Sequence, residues 1–128
     1  MTVLIDTSVW LRFLRGEEAG LVARPWITSG QALVHPFVVG ELLLGGLSAE
    51  NEALLRSLPR SPSPSPEALY DFIRRHHLAG TGIGWVDAAL LAAARAVGAQ
   101  LATFDTPLAR CARQLGVPTP VPLPASDQ

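Results

Sequence analysis

The sequence predicts an α/β domain in which a mostly parallel sheet is covered by helices on both faces, and three observations predict it. Three short apolar runs, VLI at 3–5, ALV at 32–34 and QLA at 100–102, suit strands buried on both sides. Segments with helical signals separate them, and alternation of this kind favours parallel pairing. Asp6 follows the first run directly and Asp105 comes soon after the last. Polar groups at the carboxyl ends of parallel strands are where open α/β sheets bind ligands.

Each element has a local reason. After the strand Val3 to Ile5, Thr7 or Ser8 caps a helix running to Arg15 and stopped near Gly16. Glu17 to Ile27 predicts a second helix, weakened by Pro25, before a turn at Ser29-Gly30. Pro36 opens a helix that Gly45-Gly46 ends, and Ser48 caps another reaching Ser57. Residues 59–66, rich in proline and serine, predict a stiff surface loop. Ser65 and Pro66 start a helix to Leu78. Gly80, Gly82 and Gly84 interrupt the chain before a helix of composition WVDAALLAAARAVG. Pro107 begins a last helix to Leu115, and Val117 begins a short edge strand limited by the prolines that follow.

With 128 residues, 48% of them apolar and 16% charged, the chain predicts one domain, 1–128. A lone cysteine, Cys111, excludes an internal disulfide. No basic leader precedes the first apolar run, which Asp6 interrupts, and no run is long enough to span a bilayer, so a cytoplasmic location is expected. The formal net charge of -1 conceals a distribution. If four of the 11 acids share one site, the other seven face 10 basic groups, all arginine. Arginine suits bidentate phosphate contacts.

Asp6, Glu41, Asp87 and Asp105 stand apart from the other acids because each is set among apolar residues. Asp6 and Asp105 also read as helix caps, and Asp87 as a first-turn acid favouring the helix dipole. Glu41, inside VVGELLLG, has no such local role. Converging on one sheet edge, the four would repel one another unless a cation neutralised them. Magnesium or manganese, hard ions that take carboxylate and water oxygens, meet that need. Zinc does not, since His35, His76 and His77 lack ligand spacing with the acids. Such a cluster suits metal-activated water attacking a phosphodiester. Thr7, Ser8 and Thr103 are placed to orient the acids or a phosphate. GTGIG lacks the Gly-Lys-Ser/Thr ending of a nucleotide loop. Arg12 and Arg15, beside Asp6, and Arg74 and Arg75, in the densest basic run, are the candidates for RNA phosphate contacts; for the second pair a solvated helix end is the plainer reading.

LIDTSVWL, HPFVVGELLLG, GIGWVDAALLAAA and LATFDTPLARCARQLGV, in that order, resemble the motifs of PIN domains, and more closely those of the VapC-type ribonuclease toxins. The resemblance covers nearly the whole chain. It implies a three-layer α/β/α fold, RNA cleavage dependent on magnesium or manganese with Asp6, Glu41, Asp87 and Asp105 as the acids, a small antitoxin partner, and a homodimer. Some relatives carry a further acid shortly after the fourth. Here Thr106, Pro107, Leu108 and Ala109 follow Asp105, and Asp127 is remote, so the resemblance supplies one metal position more fully than two. The competing readings are an inactive PIN-fold protein that binds RNA or an antitoxin, and a structure-specific DNA nuclease, for which extra DNA-binding elements would be expected.

Overall fold

A computed structural model describes residues 1–121. Its sheet has three parallel strands, β1 (Val3–Ile5), β2 (Ala32–Leu33) and β3 (Gln100–Ala102), in the order β2-β1-β3. Val3 pairs with Ala32 and with Gln100, and Ile5 with Ala102. β1, fully buried, is therefore central, as an unbroken apolar run requires. The helices are α1 (Thr7–Leu14), α2 (Arg24–Thr28), α3 (Pro36–Leu44), α4 (Ala49–Arg56), α5 (Pro66–Arg75), α6 (Trp85–Val97) and α7 (Thr106–Gln114).

Capping follows the local chemistry. Asp6, Ser48, Ser65 and Asp105 each accept a main-chain N–H at the start of α1, α4, α5 and α7. His35 does the same for α3, its Nδ1 accepting from the Phe37 N–H at 3.0 Å. Gly98 ends α6 in the left-handed conformation that glycine adopts without strain. Trp10, Leu91, Leu101 and Leu108 fill the core around β1 and β3.

Four expectations need correction. The cap of α1 is Asp6 and not Thr7 or Ser8, which lie within the first turn of the helix. The helix predicted from Glu17 to Ile27 is split into a 3-10 segment, Glu18–Ala23, and the short α2. Proline at 25 lies in the first turn of α2, where its missing N–H does no harm. The 3-10 segment lies so close to α1 that a Cβ on Gly20 would stand 2.2 Å from the Phe13 main-chain nitrogen. The 59–66 segment is not wholly a surface loop: Val34 donates to the Pro59 carbonyl at 2.9 Å and Ser61 donates to the Val34 carbonyl at 3.0 Å. These bonds form a parallel bridge beside β2 and bury Ser61. No strand forms from Val117 to Val121, although Leu101 donates to the Pro118 carbonyl at 2.9 Å on the open side of β3. Proline at 118 and 120 removes the N–H groups that a ladder needs. Asp127 and the rest of that predicted strand lie outside the described residues.

Candidate active site

Register builds the first half of the site. Because Ile5 pairs with Ala102 in parallel, the next residues, Asp6 and Thr103, leave the sheet side by side, and the Asp6 N–H donates to the Ala102 carbonyl at 3.0 Å. Thr103 Oγ1 then donates to Asp6 Oδ2 in a short hydrogen bond. Ser8 Oγ donates to Asp6 Oδ1 at 2.6 Å, and the Val9 N–H donates to the same oxygen at 3.1 Å. Both hydroxyls also accept: Thr103 from the Asp105 N–H at 2.9 Å and Ser8 from the Phe104 N–H at 3.0 Å. Two hydroxyls thus tie α1 to the β3–α7 turn and fix Asp6 relative to Asp105.

Helices bring the other two acids. Asp87, in the first turn of α6, accepts from the Gly84 N–H at 3.1 Å. The loop before α6 lies over the start of α7, with Gly82 against the Pro107 ring. Glu41, on α3, accepts from Thr7 Oγ1 at 2.5 Å.

Electrostatics connects the four. Burial pushes the Asp6 carboxyl above its ordinary value; the bonds from Ser8, Thr103 and Val9 oppose that shift, and the charge of Asp87 adds to it. Burial also raises Asp87, against the Gly84 hydrogen bond and with the charges of Asp105 and Glu41 adding to it. Asp87 therefore feels all three of the other acids.

Burial divides the four acids, although Glu41 does lie among apolar side chains, in a groove with Phe37, Leu44 and Trp85. Asp6 is buried and Asp87 half-buried, whereas Glu41 and Asp105 are exposed. α3 buries Val38 and Leu42, and its opposite side, bearing Glu41 with Leu43 and Leu44, faces outward despite its apolar composition. Of the candidate arginines, Arg15 and Arg75 are exposed and Arg74 pairs with Asp71 at 3.3 Å. Arg12 is half-buried, with its guanidinium 4.9 Å from the Phe104 ring centre and donating to the Ser8 carbonyl at 3.0 Å. That contact makes Phe104 part of the site's support, a role that its place between Thr103 and Asp105 alone could have signalled.

Carboxylate and hydroxyl oxygens suit a hard divalent cation, and the upward shifts of Asp6 and Asp87 are what such an ion would relieve. Among the described residues, no three His, Cys, Asp or Glu side chains are already drawn into a cage.

Comparison with known proteins agrees with this architecture. The PIN domain family model matches residues 3–114, so the chain belongs to the PIN-domain family. It is a VapC-like member: it is 36% identical over 118 residues to Ribonuclease VapC32 of Mycobacterium tuberculosis, in each of two strains, covering 90% of this chain and 94% of the relative. Two solved structures share the fold. FitAcB from Neisseria gonorrhoeae superposes with a TM-score of 0.60 at 24% identity, over 92% of this chain and 96% of that one. PAE2754 from Pyrobaculum aerophilum gives 0.57 at 14% identity, over 87% and 79%.

Proposed function

We propose that this protein is a magnesium- or manganese-dependent endoribonuclease and the toxin of a toxin-antitoxin pair. The observation that supports the reading is the hydrogen-bonded set in which Thr103 joins Asp6 to the Asp105 main chain where β1 and β3 end, with Asp87 at the start of α6 acting on Asp6 through its charge. Asp6, Asp87 and Asp105 would hold the ion, with Glu41 at the outer edge. When bound, such an ion supplies a polarised water and a counter-charge for the scissile phosphate. Thr103 and Ser8 aim Asp6 and favour its charged form against the effect of burial, and Thr7 restrains Glu41. Arg12, Arg15, Arg74 and Arg75 are the proposed contacts to RNA phosphates.

Kinship with Ribonuclease VapC32 supports both the substrate and the antitoxin partner. The reading includes a homodimer, for which the outward apolar side chains of α3, with Leu43 45% and Leu44 92% exposed, offer a surface; the groove that Leu44 lines with Phe37 and Trp85 also contains Glu41 and so belongs to the site. No helix among the described residues is long and apolar enough to cross a membrane. An RNA-cleaving toxin would act where its RNA is, so the reading includes a cytoplasmic location.

A second reading, an inactive PIN-fold protein that binds RNA or an antitoxin, draws on the absence of a preformed three-ligand cage among the described residues. Cleavage of structured RNA with magnesium or manganese, with chelator, and by Asp6→Asn and Asp87→Asn separates the two. The nuclease reading expects cleavage that chelator abolishes and that either substitution lowers by at least roughly a hundredfold, the scale of losing an essential charged group. Cleavage that survives chelator, or both substitutions, would overturn it.

A further inference from the structure

A second charged feature lies toward the C-terminal end of α6, about two turns beyond Asp87. Between the end of α5 and the middle of α6 is an open cleft of about 350 Å³ lined by Phe72, Arg75, His76, Ala92, Arg95 and Ala96. Arg75 and Arg95 approach it from different helices. Both are exposed, and among the described residues neither forms an ion pair. The small side chains of Ala92 and Ala96 keep the floor open, while His76 rests on Phe72 with ring centres 4.6 Å apart. Burial, and then the positive charges of Arg95 from α6 and of Arg75 and His77 from its own segment, hold the His76 imidazole below its ordinary pKa.

Backbone strain is retained at the same place. His77 has φ 53, the only non-glycine residue in the left-handed region among those described. It follows α5 where the Leu78 N–H returns to the Ile73 carbonyl at 3.1 Å, a helix ending that glycine normally completes. A histidine there is strained, and it adds an imidazole to an already basic cluster.

We propose that this cleft is a second RNA-binding site, in which Arg75 and Arg95, with His76 and His77, hold backbone phosphates of the strand whose scissile bond lies at the acids. The inference rests on the ribonuclease reading. Arg95 stands eight residues beyond Asp87 on α6, so the cleft is about 12 Å along the helix from the centre, a reach that a few nucleotides span. A phosphate there removes the mutual repulsion of the cations, and the two guanidiniums supply forked donors.

The test is binding of a single-stranded RNA in chelator, followed by salt titration, for the wild type, the Arg75→Ala/Arg95→Ala double variant, the corresponding double lysine variant and His77→Gly. The double alanine variant is expected to bind about tenfold more weakly or worse, with the salt slope falling by about 0.7 for each phosphate no longer neutralised. The lysine variant should recover the slope. His77→Gly should bind less tightly while melting no lower than the wild type, a split that a purely structural role would not produce. RNA should also move the His76 titration, followed by NMR, to higher pH. Unchanged affinity and slope in the double alanine variant would overturn the proposal. Failure of the ribonuclease reading would appear separately, as no cleavage by the wild type with magnesium or manganese.

Discussion

Asp6 and Thr103, 97 positions apart in sequence, are joined by a hydrogen bond across neighbouring parallel strands, and the same threonine hydroxyl accepts the Asp105 N–H. One hydroxyl therefore sets the spacing of two acids and opposes the rise that burial imposes on Asp6.

Thr103→Val keeps the buried shape and removes both bonds. RNA cleavage should fall roughly 10- to 100-fold, the scale for groups that orient metal-binding carboxylates. Losing a bond that lowers the Asp6 pKa should also move the acidic limb of the kcat/KM profile to higher pH. Thr103→Ser should restore both, and urea melts would separate these effects from unfolding.

Asp87→Asn should trade function for stability. The folded Asp87 carboxyl lies above its ordinary value of 3.8, so the folded state binds the proton more tightly than the unfolded chain. Stability contributed by this group is greatest below that value and is lost as pH rises through the raised one. At neutral pH the metal-free protein carries the whole penalty. Asparagine still accepts the Gly84 N–H without a charge, so the variant should melt higher than the wild type in chelator at neutral pH. That gain should vanish in acid, and magnesium should raise the melting temperature of the wild type more than that of the variant. A variant that melts lower at neutral pH would contradict this account.

His35 predicts the opposite pH dependence. Burial lowers its pKa from 6.5 to about 4, and the positive charge of Arg60 contributes. The folded state favours the neutral ring, whose Nδ1 accepts the Phe37 N–H at the start of α3. Stability from this group is complete above 6.5 and declines as pH falls toward 4. His35→Asn retains a capping oxygen and does not titrate, so its melting temperature should depend less on pH between 7 and 5 than that of the wild type. Equal slopes for the two proteins in calorimetry would refute the assignment.

Two glycines should respond in opposite directions to alanine. A Cβ on Gly20 meets main-chain atoms of Phe13 and Arg12, which cannot swing aside, whereas Gly40, within α3, has nothing within 4 Å of its added carbon. Gly20→Ala should destabilise by about 1–3 kcal/mol or more. Gly40→Ala should stabilise by about 0.5–1 kcal/mol through helix propensity. Urea midpoints would measure both.

Much of this was legible in the linear chain because its causes are local. The caps at Ser48, Ser65 and Asp105 need only a side chain and the next few N–H groups, and the buried strands announce themselves by continuous apolar runs; at the first helix three adjacent capping residues, Asp6, Thr7 and Ser8, left the choice to the structure. Capping does not remove Asp6 or Asp105 from the candidate site: each accepts a main-chain N–H at a helix start, and Asp105 still acts on Asp87 through its charge. Glu41 was set apart by its place in an apolar helix, yet it is exposed. Nothing in α3 alone says which side faces the core, because both sides are apolar.

The sequence by itself determined the three buried strands, the main helices and the family, and it singled out the four acids as candidates. Tertiary structure alone decided that β1 is central, that Thr103 bridges Asp6 and Asp105, that Asp6 and Asp87 are the desolvated pair, and that Arg95 joins Arg75 and His76 across a cleft. The division has a physical reason. Caps, turns and periodicity act over a few residues, whereas strand order, desolvation and encounters between distant side chains depend on how the whole core packs.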